Sequence, residues 1–165
     1  MPEGPPPALA VSSPPYEAND QRGGHTRVAT EKRVATYGYG EADGNIGNDI
    51  GETFWSAARA IVAQTYAALR PGDGHAVWVV KSFVRSGQIV DFPGQWRQLC
   101  ESVGFVTLHE HHASLVEDNG VQLATDGNHQ SKRKKRMSFF RRLHEAKFPE
   151  LAIDFETVYC MEKAG

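Results

Sequence analysis

The sequence predicts an α/β fold organised on an open sheet, and three stretches carry that prediction. Residues 8–12 form a short apolar run that Pro14 and Pro15 must end, because a proline donates nothing to a ladder and fixes its own φ. Residues 52–69 repeat apolar side chains at helical spacing. A Pro71-Gly72 turn follows, and then residues 76–81 read as a buried parallel strand, so that helix, turn and strand form a right-handed crossover unit. A second helix over 93–103 gives way at Gly104 to a strand over 105–115.

The length of 165 residues is that of one domain with a real core, on the usual scale of about 150 residues per domain. A net charge of −2 means that any affinity for nucleic acid has to come from a local patch and not from the overall field. Cys100 and Cys160 stand in unrelated contexts and make neither a disulfide framework nor a metal pattern, which favours a reducing cytoplasm. No apolar run reaches membrane-spanning length, and the proline-rich start lacks the charged and apolar regions of a signal peptide.

Taken in order, residues 1–7 are rich in Pro and Gly and read as a disordered start. Ala8 to Val11 is the first strand. Residues 17–51 are polar and Gly-rich with no sustained period, which makes a long loop, and loops of that length in compact domains are usually functional. Arg22, His25, Arg27, Lys32 and Arg33 give this loop phosphate-contacting capacity, as in a lid or recognition segment; the alternative is a simple insertion. In the first helix, Phe54, Ala58, Ile61, Val62, Thr65, Tyr66 and Leu69 recur at helical spacing. In the second, Trp96, Leu99, Cys100 and Val103 share a face. Residues 117–130 read as a polar loop. Lys132 to Arg136 lead into a short helix over 138–146, with Phe139, Phe140 and Leu143 as its buried stripe. Ile153 to Met161 closes the chain as a strand whose core residues are expected to be Phe155, Val158 and Cys160.

Ser13-Pro14-Pro15-Tyr16 is the most informative motif. Two prolines after a strand leave carbonyls without ladder partners at the carboxyl end of the sheet, where ligands bind in open α/β folds. A hydroxyl beside those acceptors and a flat ring after them suit a planar group with an exocyclic amine. The tetrad resembles the catalytic motif of the amino-methyltransferases, which transfer a methyl group from S-adenosylmethionine to the exocyclic nitrogen of cytosine or adenine in DNA. Their motif is Ser, Asn or Asp, then Pro-Pro, then Tyr, Phe or Trp. The turn at Leu69 to Gly74, the Gly104-Phe105 junction, Ser138 to Leu143 and the Asp154 to Cys160 strand also look like segments of this family.

The resemblance implies a partial Rossmann-like class I methyltransferase sheet, comprising strands four to seven with the last inserted antiparallel between the fifth and sixth. Residues 8–165 are then the catalytic half of such a domain. The family's cofactor half, with its glycine loop and acidic ribose partner, has no counterpart in this sequence, so the first strand should present an unpaired apolar edge. A complementary amino-terminal half or a homodimer would cover it. By resemblance, a flipped base stacks on Tyr16 and its amine donates to the Ser13 hydroxyl and the Pro14 carbonyl, while Pro15 stiffens the turn. The Ser form leans toward cytosine N4 over adenine N6, and no cysteine nucleophile or metal is required.

Double-stranded DNA is the implied partner. Its phosphates would meet Lys132, Arg133, Lys134, Lys135 and Arg136 together with Arg141 and Arg142, and Arg27, Lys32 and Arg33 from the long loop. The alternative for this patch is a solvated charged loop. Lys81 could stand near substrate or at a solvated strand end. His109 and His111 fall on one strand face without a second ligand pair, so a metal is not expected. Other readings are a non-catalytic nucleic-acid-binding module and a methyltransferase of RNA bases or protein glutamines, whose enzymes use a related Asn-Pro-Pro-Tyr.

Overall fold

A computed structural model describes residues 4–15, 46, 51–114, 116–123, 129–135 and 146–164, of which 117–123 and 129–135 are described by backbone alone. The elements in order are β1 (Leu9–Ser12), α1 (Gly51–Ala68), β2 (His75–Val80), β3 (Phe83–Arg85), β4 (Gln88–Val90), α2 (Phe92–Val103), β5 (Phe105–Ser114), β6 (Val116–Leu123), β7 (His129–Lys135) and β8 (Phe155–Lys163). The main sheet has the order β1-β2-β8-β5. β1 runs parallel to β2, and β8 runs antiparallel to both β2 and β5. The expected α/β class holds, as does the insertion of the last strand between its two neighbours.

Both helices pack on one face of the sheet. Phe54, Ala58, Val62 and Leu69 from α1 and its C-terminal end, and Phe92, Trp96 and Cys100 from α2, form one core with Ala76, Trp78, Val80, Phe105, Tyr159 and Met161. Aromatic edges fill it, with Trp78 and Trp96 meeting T-shaped at 5.4 Å and Phe92 lying 5.8 Å from Trp96. Asp91 starts α2 by accepting from the Gly94 amide at 2.9 Å, and Gly104 ends it with φ 121°, donating to the carbonyls of Cys100 and Glu101. α1 is closed from a distance: Lys163 on β8 donates to the Leu69 carbonyl at 2.8 Å and lies over the Tyr66 ring, while the Tyr66 hydroxyl donates to the Ala164 carbonyl. Gly74 is required because a Cβ there would collide with the Arg70 carbonyl oxygen.

Several expectations change. Within the span 117–130 expected as a loop, residues 117–123 and 129–130 are strand, because β6 and β7 pair antiparallel; residues 124–128 lie outside the described residues. The reason lies in the register, which sets Glu117 opposite Lys134 and Asp118 opposite Arg133, so opposite charges stand across the ladder where apolar periodicity is weak. Lys132 to Lys135 therefore belong to a strand instead of leading into a helix, and residues 138–145 lie outside the described residues. β3 and β4 form a further hairpin around Ser86 and Gly87, whose φ values of 50° and 74° fit a type I′ turn.

Two of the three core residues expected on the last strand face away from the helices. Thr157, Tyr159 and Met161 are buried against the helices; Val158 and Cys160 alternate with them onto the opposite face, and Phe155, on the helix side as expected, is 36% exposed at the end of the sheet. A strand's period of two means that a one-residue error in parity moves a side chain to the other face, as for Val158 and Cys160. Ile61, expected inward on α1, is also exposed. At the amino terminus the Pro7 carbonyl accepts from the Arg70 amide at 2.9 Å and the Ala8 carbonyl from the His75 amide at 2.8 Å.

β1 is an edge strand, with Leu9 55% and Val11 66% exposed. Because Ala8 points its carbonyl at β2, alternation turns the N–H and C=O of Leu9 and Val11 to the open side. The register puts Leu9, Val11, His75, Val77, Val79, Val158 and Cys160 on the face away from the helices, and Val106 is half exposed beside Glu162. None of these residues is fully buried. A substitution Gly104→Ala places a side chain at φ 121° and 3.2 Å from the Tyr66 ring, and should destabilise the fold by about 1–3 kcal/mol in urea melts.

Candidate functional site at the carboxyl end of the sheet

The parallel strands β1 and β2 finish at the same end of the sheet, and the reversed β8 begins there. Ladder pairing of β1 stops at Ser12 opposite Trp78, on the helix-covered face. Ser13 follows exposed, Pro14 is buried and Pro15 is half-buried, so the break after β1 is packed and its hydroxyl-bearing residue faces solvent. Tyr16, the fourth residue of the motif, lies outside the described residues. So do Arg27, Lys32, Arg33, Arg136, Arg141 and Arg142; Lys132, Arg133, Lys134 and Lys135 are carried by β7. β7 pairs with β6 and not with the sheet that carries Ser13, and Arg133 and Lys134 are in register with Asp118 and Glu117.

A cleft of about 220 Å3 opens at this end of the sheet and was not anticipated from the sequence. Its floor is Glu110 and His112 on β5 and Thr157 and Tyr159 on β8, which are direct cross-strand pairs. Its wall is the start of α2, with Asp91, Pro93, Gly94 and Arg97; Ser82 and Phe155 close the rim. β8 lies two strands from β1, roughly 10 Å away at the usual interstrand spacing, so the cleft and Ser13 are neighbours and not one pocket.

Charge in the cleft is loosely arranged. Glu110 stands between Arg97, at 3.7 Å from Nη1 to Oε2, and His112, at 3.4 Å from Nε2 to Oε1. Both separations exceed a good hydrogen bond. The Nε of Arg97 is buried with no acceptor among the described residues, a position that costs roughly 1–3 kcal/mol. The His112 ring stacks on Phe155 at 4.2 Å, while His109 and His111 lie on the opposite face of β5, after an irregularity between Thr107 and His109 that resets the register. Among the described residues, no three potential ligands converge on a metal position. The signal that could have found this cleft is the alternation of Glu110 and His112 on a strand preceded by a helix bearing Arg97, but only the strand pairing shows that they meet.

Comparison with family models, with curated proteins and with solved structures finds no match to this chain. What the structure defines on its own is a mixed four-stranded α/β sheet with both helices on one face. No helix among the described residues is long and apolar enough to cross a membrane.

Burial pushes the Tyr159 hydroxyl up to about 12, and the Glu110 carboxylate adds to the effect. Burial likewise pushes the Cys100 thiol up to about 12, with Glu101 contributing. Both groups keep their protons longer in the folded chain than in the unfolded one. The stability they contribute is present in full below pH 9 and is lost as the pH rises through about 12. Denaturant melts should therefore weaken progressively from pH 9 upward, and Glu110→Gln should lower the Tyr159 titration, read by ultraviolet absorbance, toward the ordinary tyrosine value.

Proposed function

We propose that this chain is the base-holding half of a DNA amino-methyltransferase and acts on an exocyclic amine, cytosine N4 in preference to adenine N6. The observation that carries the reading is the end of β1, where exposed Ser13 follows directly on the last paired residue and buried Pro14 fixes the turn, at the sheet end where α/β folds bind ligands. The insertion of an antiparallel last strand between two others supports the same reading, since that order is what the resemblance implies.

In this reading the base is extruded from the duplex and its amine donates hydrogen bonds to the Ser13 hydroxyl and the Pro14 carbonyl, while Tyr16 supplies the stacking surface. Drawing the N–H groups into hydrogen bonds in the plane of these acceptors raises electron density on nitrogen. S-adenosylmethionine supplies the methyl group. The described strand-to-helix junction before α2 runs Val90-Asp91-Phe92-Pro93-Gly94, and the space beside its single glycine is filled by the Asp91 carboxylate that caps the helix, so this junction offers no open backbone to a nucleoside and does not fit the cofactor. The task of these residues is to hold and polarise the base, and a cofactor-binding half, on the same polypeptide or another, brings the cofactor.

The unpaired edge of β1 and the apolar face beside it support such a complement, with a homodimer as the other occupant. The basic residues Lys132 to Arg136 with Arg141 and Arg142, and Arg27, Lys32 and Arg33, are the proposed phosphate-binding groups. A non-catalytic nucleic-acid-binding role is the second reading; it is favoured by the same junction before α2.

The test is reconstitution with a polypeptide that carries a cofactor-binding half, followed by labelled methyl transfer to duplex DNA. Ser13→Ala should lower the rate by roughly 100-fold, the scale of losing one preorganised hydrogen-bonding group. Transfer that proceeds equally well in the variant rules the mechanism out. Changing Lys132 to Arg136 to glutamine should weaken DNA binding and flatten its salt dependence by about one unit of slope for each phosphate that is no longer neutralised.

A further inference from the structure

The cleft walled by α2 holds a set of groups that the handling of an amine at Ser13 does not use. Glu110 lies on the covered face of β5, flanked by Arg97 at 3.7 Å and His112 at 3.4 Å and tightly bonded to neither, so its oxygens keep lone pairs for a further donor. Arg97 holds its guanidinium beside that carboxylate, with Nη1 near it and Nε sealed without an acceptor among the described residues. The ring of His112 stacked on Phe155, inclined by only 22°, gives the rim a flat aromatic surface, and Phe155 is 36% exposed there.

A carboxylate with spare lone pairs next to a guanidinium, with an aromatic plate at the edge, complements a flat ring that carries two adjacent N–H donors beside a carbonyl. We infer that this cleft binds guanine, with Glu110 accepting from the ring N–H and the amino group, Arg97 donating to the carbonyl oxygen, and the ring lying against the His112 and Phe155 stack. Among the common bases only guanine offers a carboxylate two neighbouring donors. Adenine and cytosine set one amine beside a bare acceptor, and uracil and thymine set a single N–H between carbonyls.

Size and charge agree with a bare base. A volume of about 220 Å3 falls below the 300–1,000 Å3 typical of drug-sized ligands, so the sugar stays outside. Phosphate is unwelcome inside, because Asp91 already occupies the first turn of α2 and Glu110 lines the floor. The guanine can come from a free nucleotide or from a single strand. The inference stands apart from the methyl-transfer reading, since binding is measured without S-adenosylmethionine.

Calorimetry on the full chain with guanosine, inosine, adenosine and cytidine monophosphates, and with short single-stranded DNA carrying one guanine or one hypoxanthine, tests it. Guanine should bind about tenfold or more tightly than hypoxanthine, which lacks only the amino group, in at least one of the two series; the series that shows the preference identifies the source. Glu110→Gln should abolish that preference while circular dichroism stays unchanged. Arg97→Met should weaken guanine and hypoxanthine alike, because both keep the carbonyl. Equal binding of guanine and hypoxanthine in both series, no binding in either, or a preference that survives Glu110→Gln would overturn the inference.

Discussion

β8 is the strand on which the sheet depends. β2 and β5 run in the same direction but do not pair with each other; each takes its hydrogen bonds from the reversed strand between them. The last strand of the chain therefore joins a β1-β2 unit to a β5 unit that has no other ladder to it. Lys163 ties the arrangement together at the far end. Its amide donates to the Gly74 carbonyl ahead of β2, and its ammonium reaches the carbonyl of Leu69 at the end of α1. Because β8 alternates Thr157, Tyr159 and Met161 into the helix-covered core, the same strand that closes the sheet also provides the floor of the cleft.

Much of this was legible in the sequence. Periodicity places α1 and α2 to within a residue or two, since Phe54, Ala58 and Val62, and then Trp96 and Cys100, are buried as their spacing requires. Gly104 and the prolines after Ser13 mark ends that the backbone respects. Parity on β8 is blurred because Val158 and Cys160 are apolar on the outer face and Thr157 is polar on the inner one; the charges of Glu156 and Glu162 at both ends of the Cys160 face are the signal that Tyr159 faces inward and Cys160 does not. The β6 and β7 hairpin was hidden for a different reason. Its two strands pair with each other and not with the core, so no buried face was needed to write an apolar pattern into it.

The cleft was beyond sequence reasoning for a third reason, which is that it is made by pairing. Glu110 and Tyr159 are far apart in the chain and are opposed only by the β5-β8 register, shifted between Thr107 and His109. That irregularity leaves His109 facing the open side with Cys160 and sets Glu110 and His112 toward α2, so the chemical character of the covered face at this end follows from one local break in the ladder.

The edge of β1 constrains what can complete the sheet. Leu9 and Val11 offer outward backbone groups, but Pro5, Pro6 and Pro7 precede the strand and Pro14 and Pro15 follow it, so the stretch that can donate to an added strand is short. A short ladder contributes little by itself, and prolines at both ends are a common way of keeping an edge from recruiting strands indiscriminately. A strand added to this edge would gain more from the apolar face that runs from Leu9 and Val11 across Val77 and Val79 to Val158 and Cys160 than from the short ladder itself.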